Sequence, residues 1–170
     1  LQHLIPQGMI DRRFPTALQM MHSLGLAAKS GGTLISSSQL AEWLNANPTL
    51  VRKLLKTLGE HGLITSQLGR NGGVCLSRPA DEIFLKEIYE ASIEDKKLWT
   101  PRPNLPQICI VSTNFEEYFE TVSDRMEQAV LDSLAGISLA QSLSELLRVH
   151  RERCQAGVAA NLAFEKAFAS

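Results

Sequence analysis

Apolar positions in the first third of the chain repeat with helical spacing in three segments. Residues 16–28 place them on one broad face, which predicts a helix with a buried side. Ser36 and Gln39 have the spacing of a capping box, which predicts the start of a second helix. Asn47 and Pro48 predict the start of a third helix, as its N-cap and first helical residue. The apolar set of this third helix follows the i, i+3, i+4, i+7 pattern and comprises Val51, Leu54, Leu55 and Leu58.

Shorter apolar runs follow and predict a β-hairpin. Residues 63–68 and 74–76 read as two strands, and the glycine-rich residues 69–73 between them permit a tight turn. Residues 33–35 read as a very short strand, and residues 79–91 as another helix. A helix, a helix-turn-helix and a hairpin in this order form the winged-helix plan. The predicted fold class is mainly α with a small β-hairpin.

The second part of the chain has a different pattern. Prolines interrupt residues 99–109, which predicts a loop. Thr113 and Glu116 have capping-box spacing and predict the start of a long helix, and Ser138 with Gln141 predicts the start of a last one. Steps of four and three residues along the long helix form a heptad seam of Phe115, Phe119, Val122, Met126, Ala129 and Ser133.

The heptad seam makes the long helix a candidate dimerisation helix. Such a seam beside a small DNA-binding module most often pairs with a second copy, although packing within one chain is an alternative and both can hold. We expect residues 1–8 to be an added leader with Met9 as the native start, or else the chain to be a fragment of a longer protein. The expected divisions are a winged-helix domain at 9–92, a proline-containing loop at 93–111 and a helical dimerisation region at 112–170.

Charge is divided unevenly along these 170 residues. Residues 9–80 carry eight lysines and arginines against three acids, whereas residues 81–170 carry nine against fifteen. The basic part is suited to a polyanionic partner, although two surfaces that differ by chance are an alternative. No apolar run approaches the roughly 18 residues that span a bilayer, which predicts no membrane contact. Three scattered cysteines favour a reducing, cytoplasmic location.

The third helix has the side chains that the major groove of DNA requires. Its face opposite the apolar stripe carries a hydroxyl and three basic groups, of which Arg52 suits guanine and the lysines suit phosphate. Serines at the start of the second helix would hold a phosphate through hydroxyl and N–H groups, and an arginine at the hairpin tip would contact the minor groove or the backbone. The candidate DNA-contacting residues are Ser37, Ser38, Thr49, Arg52, Lys53, Lys56 and Arg70.

Residues 35–90 resemble the Rrf-type bacterial transcription regulators. The resemblance is carried by the helix pair, by the Gly-x-x-Gly-Gly motif that starts at Gly69, and by Arg78 and Pro79 before Glu82 and Ile83. It implies homodimers that bind palindromic operators in double-stranded DNA, with the long helix crossing to the partner. It also implies DNA contacts by Ser37, Ser38, Thr49, Arg52 and Arg70.

Cysteine content departs from part of that family. Cluster-binding members carry three closely spaced cysteines in the loop before the dimerisation helix, whereas this loop has Cys109 alone. A [2Fe–2S] centre needs about four ligands, so we expect no iron–sulfur cluster and no other cofactor. His150 and Cys154 have the spacing of half a zinc site, but no second pair accompanies them, so no metal is expected.

Cys109 is the candidate redox sensor, because a helix N-terminus would lower the pKa of its thiol. The alternatives are a buried, inert cysteine and a small-molecule effector bound between the domains. An enzyme is excluded, since Cys109 and His150 would be its only nucleophile and base and neither an acid nor an oxyanion element accompanies them. The sequence therefore predicts a cytoplasmic, homodimeric repressor. The alternative function is a winged-helix adaptor that binds proteins and does not read DNA.

Overall fold

The computed structural model describes residues 11–69, 72–94 and 97–155, and these confirm the predicted fold class. Within them a helix, a helix-turn-helix and a two-stranded antiparallel sheet are followed by three further helices. The leader and the start at Met9 expected from the sequence, and residues 156–170, lie outside the described part. The elements are α1 Arg13–Lys29, α2 Ser37–Trp43, α3 Pro48–Glu60, β1 Ile64–Gln67, β2 Gly73–Leu76, α4 Leu85–Ile93, α5 Ile110–Ala135 and α6 Leu139–Gln155.

Helix α1 lies at the centre of the core and packs against α3, α4, α6 and β2. It begins at Arg13, ahead of the predicted start at residue 16, because the carboxylate of Asp11 accepts a hydrogen bond from the Arg13 N–H at 2.9 Å. Each large apolar side chain that is fully buried here contributes about 1.5–3 kcal/mol to folding. The fully buried set includes Met20, Met21, Leu24, Leu40, Leu54, Leu58, Ile83 and Ile88.

Helix α4 begins at Leu85, so the predicted start at residue 79 is wrong. The Glu87 carboxylate accepts a hydrogen bond from the Phe84 N–H at 2.8 Å and also pairs with the guanidinium of Arg78. Phe84 forms an antiparallel bridge with Ser138, at the start of α6. This bridge joins positions that are distant in the sequence and keeps Phe84 extended, so the helix cannot begin earlier.

Helix α5 begins at Ile110, so the predicted capping box at Thr113 is also wrong. The Thr113 N–H donates to the Cys109 carbonyl at 3.0 Å, which places Thr113 inside the first turn. Cys109 is the N-cap. With 26 residues the helix extends for about 39 Å. The preceding loop lies along it, since the Ser123 hydroxyl donates to the Trp99 carbonyl at 3.0 Å.

Helix α6 returns to the core and packs against α1. Its predicted capping box is confirmed: the Gln141 side chain accepts from the Ser138 N–H at 2.9 Å, and the Ser138 hydroxyl accepts from the Gln141 N–H at 3.2 Å. Leu139 and Leu143 are buried, and His22 Nε2 lies 2.9 Å from the Ser142 hydroxyl. No helix in the described part of the chain is both long enough and apolar enough to span a bilayer.

Candidate nucleic-acid interface

Two local caps fix the helix pair that carries most of the predicted contacts. The Ser36 hydroxyl accepts from the Gln39 N–H at 3.2 Å, and the Gln39 side chain accepts from the Ser36 N–H at 2.9 Å. The Asn47 side chain accepts from the Thr49 N–H at 2.8 Å. Both predicted helix starts are confirmed, because each depends on residues within one turn of the chain.

Burial of one face leaves the other face of α3 free. Val51, Leu54 and Leu58 point into the core, where each is at most 1% exposed. The four predicted side chains on the opposite face of α3 are all exposed. At the start of α2, Ser38 is exposed and Ser37 is half-buried. These exposed α3 residues are Thr49, Arg52, Lys53 and Lys56.

The start of α2 and the outer face of α3 meet in a cleft of about 310 Å³. Ser37, Ser38 and Arg52 all line it, together with Glu42 and Pro48. Two hydroxyls, the free N–H groups of a helix start and a guanidinium are suited to a phosphate group. The structure therefore brings together three of the residues singled out from the sequence.

Two of the lysines are paired within the protein. Lys53 Nζ lies 2.9 Å from a Glu94 carboxylate oxygen, and Lys56 Nζ lies 3.7 Å from a Glu60 oxygen. Among the described residues Arg52 forms no ion pair, which leaves its guanidinium available. Sequence reasoning missed both pairings, although the i,i+4 spacing of Lys56 and Glu60 was visible.

The wing is a short hairpin held close to the helices. Ile64 pairs with Leu76 and Gln67 with Gly73, and Val74 also bridges to Ile35, which is the part of the predicted strand at 33–35 that forms. The predicted contact at Arg70 lies outside the described residues. Sequence reasoning also missed Leu68, a large apolar side chain that is 95% exposed beside the hairpin tip.

Backbone geometry explains the glycine motif of the wing. Gly69 has a φ of +116°, which L side chains rarely adopt. A Cβ atom at Gly73 would lie 2.8 Å from the Ile35 carbonyl oxygen, so a side chain there would push the wing away from the core.

Cys109 is exposed at the N-terminus of α5 in the single chain, so the burial expected in the alternative of an inert thiol is not observed. The Ser112 N–H donates to Cys109 Sγ at 3.5 Å, and the Ser112 hydroxyl lies 3.4 Å from it. Hydrogen bonding by this hydroxyl, and then by the backbone N–H groups of Ser112 and Val111, lowers the pKa of the Cys109 thiol below its ordinary value.

The three cysteines do not form a cluster-binding set. Cys75 lies on the wing, 3.2 Å from the Thr65 hydroxyl, and Cys154 lies on α6, 3.5 Å from a ring nitrogen of His150. Within the described ranges no three His, Cys, Asp or Glu side chains converge as metal ligands. This donor set does not fit a [2Fe–2S] centre.

Comparison with known proteins identifies the family. A family profile described as iron-dependent transcriptional regulators, Rrf2, matches residues 10–145. YwnA of Bacillus subtilis, named as an HTH-type transcriptional regulator, is 25% identical over 138 residues, which are 81% of this chain and 99% of that protein.

Solved structures agree with the family profile. The oxidized form of Staphylococcus aureus CymR is 27% identical with a TM-score of 0.55, covering 79% of this chain and 94% of that one. T. potens IscR is 19% identical with a TM-score of 0.58, covering 81% and 87%, and supports the fold alone. Because the profile spans most of the sequence, the chain belongs to the Rrf2 family of DNA-binding transcriptional regulators and is not an enzyme.

Proposed function

We propose that the protein is a homodimeric repressor that reads a palindromic operator with α3 in the major groove. The observation that carries the proposal is the exposed face of α3, where Thr49, Arg52 and Lys56 lie opposite the buried stripe. Arg52 donates two hydrogen bonds to a guanine edge, the contact to which its planar group is best suited. The proposal carries with it a cytoplasmic location, because operator DNA lies there.

Phosphate contacts fix the protein on the duplex in this proposal. Ser37 and Ser38 hold one phosphate at the start of α2, and Lys53 and Lys56 hold others after leaving their carboxylate partners. Arg70 contacts the minor groove or backbone from the wing, as expected from the sequence.

The seam of α5 supports a homodimer. In the single chain Phe115, Phe119, Val122 and Met126 are only half-buried, and Ala129 is exposed. The Phe115 and Phe119 rings stack with centroids 5.6 Å apart and form an apolar surface at the start of the seam. A second copy would cover this surface and place two α3 helices on one face of the DNA, about 34–36 Å apart.

Arg52→Ala tests the reading of DNA. Anisotropy with a fragment from upstream of the protein's own coding region should show an affinity loss of about 10-fold or more, since a bidentate guanine contact contributes about 1–3 kcal/mol. Arg102→Ala, in the exposed loop before α5, is the control and should keep the wild-type affinity. Unchanged operator affinity in Arg52→Ala would contradict the role given to α3 and favour the adaptor alternative.

We propose that the protein senses oxidation through the thiol of Cys109. Exposure of Cys109 and its lowered pKa support it, because thiolates react with oxidants. Cys109 also begins the helix that carries the dimer seam, so its oxidation would alter the geometry of the dimer. Operator binding that changes on oxidation in the wild type and not in Cys109→Ser is the expected result. A redox response that survives Cys109→Ser would contradict the switch.

A further inference from the structure

A cavity of about 430 Å³ lies where α3, α4 and α5 meet, away from the cleft at the start of α2. This junction cavity is within the size range of small-molecule sites. Glutamates dominate its ionisable lining in the described part of the chain. The ionisable residues that line it are Glu60, His61, Tyr89, Glu90, Glu94 and Glu127.

Tyr89 gives the junction cavity an unused hydrogen-bonding group. The residue is 4% exposed, and its hydroxyl has no hydrogen-bond partner among the residues that the structure describes. Burial, and then the charge of Glu127 on the α5 wall, raises the pKa of the phenol. A buried hydroxyl without a partner is unfavourable, so a group that fills the cavity and bonds to it would stabilise the protein.

The electrostatics of the junction cavity favour a cation. Both α3 and α4 end beside it, at Glu60 and Ile93. The carbonyl end of α3 carries partial negative charge, whereas the Ile93 carbonyl of α4 already accepts a hydrogen bond from the Arg13 guanidinium at 2.9 Å. Glu127 forms no ion pair with any other described residue. Of the four glutamates that line the cavity, Glu60, Glu90 and Glu94 each pair with a lysine. Among the described residues this leaves the Glu127 carboxylate and the phenol oxygen as acceptors for a ligand with N–H donors and positive charge.

We propose that the junction cavity binds a small aliphatic diamine or polyamine, whose ammonium groups donate hydrogen bonds to the Tyr89 hydroxyl oxygen and to the Glu127 carboxylate. An ammonium group supplies a hydrogen-bond partner for the phenol and a direct ion pair for Glu127, neither of which another described residue provides. A cation without N–H groups supplies only the charge.

The junction cavity is coupled to the candidate DNA face through two ion pairs. Glu94 and Glu60 line the cavity and hold Lys53 and Lys56, at 2.9 Å and 3.7 Å. A bound ammonium compound competes for these carboxylates and frees the lysines for phosphate contacts. This consequence rests on the proposed function, and it makes the ligand an activator of operator binding.

Calorimetry on the full chain without DNA tests the site directly, with 1,4-diaminobutane as the probe. Tyr89→Phe and Glu127→Gln should each weaken binding about tenfold, the effect of losing one charge-assisted hydrogen bond. Glu117→Gln, on α5 outside the cavity, is the matched control and should bind as the wild type does. Tetramethylammonium and Mg²⁺ should bind more weakly than the diamine.

The unfolding temperature of Tyr89→Phe distinguishes a hydroxyl that binds a ligand from one that has a structural partner. Tyr89→Phe keeps the ring that packs edge-on against Phe14, with centroids 5.2 Å apart, so it should unfold at the wild-type temperature or above without ligand. A lower unfolding temperature would mean that the hydroxyl has a structural partner and would overturn the proposal. Equal diamine binding by Tyr89→Phe, or equal binding of tetramethylammonium or Mg²⁺ by the wild type, would overturn it as well.

A second assay tests the coupling to DNA. At matched ionic strength the diamine should raise operator affinity in the wild type more than in Glu127→Gln, which controls for diamine bound to the DNA itself. Diamine binding with equal effects on the two proteins would overturn the coupling. Absence of any operator binding would contradict the proposed function instead. The calorimetric result would still decide whether the junction cavity binds the diamine.

Discussion

Lys53 Nζ lies 2.9 Å from a carboxylate oxygen of Glu94, so a lysine on the candidate DNA face is held by the residue that follows α4. Both side chains are substantially exposed, at 52% and 37%, and a surface pair of this kind contributes about 0–1 kcal/mol. Lys53 can therefore exchange its partner for a phosphate at little cost.

Removal of the acid should strengthen DNA binding. Glu94→Gln frees Lys53 and removes a negative charge near the duplex, so affinity at low salt should rise by up to about fivefold. Anisotropy at several salt concentrations measures it. Glu117→Gln removes the same charge far from α3 and should have a smaller effect, and equal effects of the two variants would show that the Lys53 pair is irrelevant.

The wing should depend on Gly73. Gly73→Ala places a Cβ atom 2.8 Å from the Ile35 carbonyl oxygen, so we expect a loss of about 1–3 kcal/mol in the free energy of unfolding. Gly136→Ala is the control, because a Cβ atom there meets nothing within 4 Å. Urea denaturation measures both. A Gly73→Ala variant as stable as Gly136→Ala would contradict the packing of wing and core.

Elements that local signals specify could be predicted from the sequence. The starts of α2, α3 and α6 depend on side chains within three residues, at Ser36, Asn47 and Ser138, and all three are confirmed. The start of α5 was misplaced because a cysteine sulfur is an unusual cap, and Thr113 offered a more familiar one.

Long-range contacts could not be predicted in the same way. The start of α4 depends on the bridge between Phe84 and Ser138, and the state of Lys53 depends on a glutamate 41 residues away. The unpaired hydroxyl of Tyr89 likewise follows from how α3, α4 and α5 meet. The sequence of α3 predicted which side chains the candidate DNA face presents. The ion pairs of its lysines and the adjoining cavity could be found only from the three-dimensional structure.

Cys109 should be the thiol that reacts fastest at neutral pH. Its pKa is lowered chiefly by the Ser112 hydroxyl, so the thiolate is present at a lower pH than in an ordinary cysteine. Ser112→Ala should move the pH profile of iodoacetamide alkylation, followed by mass spectrometry of the Cys109 peptide, to higher pH. Ser133→Ala, near the other end of α5, should leave the profile unchanged. An equal shift in both variants would contradict the effect of the Ser112 hydroxyl on the thiol of Cys109.

Stability should fall in mild acid because of His22. Burial lowers the pKa of its imidazole, so the unfolded state binds a proton more readily than the folded state. The free energy of unfolding should therefore decrease as the pH falls from about 7 through the unfolded value of about 6.5, until the folded imidazole is also protonated. His22→Gln should remove this part of the slope in urea denaturation at each pH, and His150→Gln, on α6, should retain it. An unchanged slope in His22→Gln would assign the effect to other groups.

Hydroxyl-radical footprinting on fragments selected from the source genome measures whether paired α3 helices read an operator. We expect protection with two-fold symmetry, centred on two major-groove segments about 34–36 Å apart, and we expect Arg52→Ala to lose it. Uniform, sequence-independent protection, or a pattern that Arg52→Ala leaves intact, would contradict the claim that paired α3 helices read an operator.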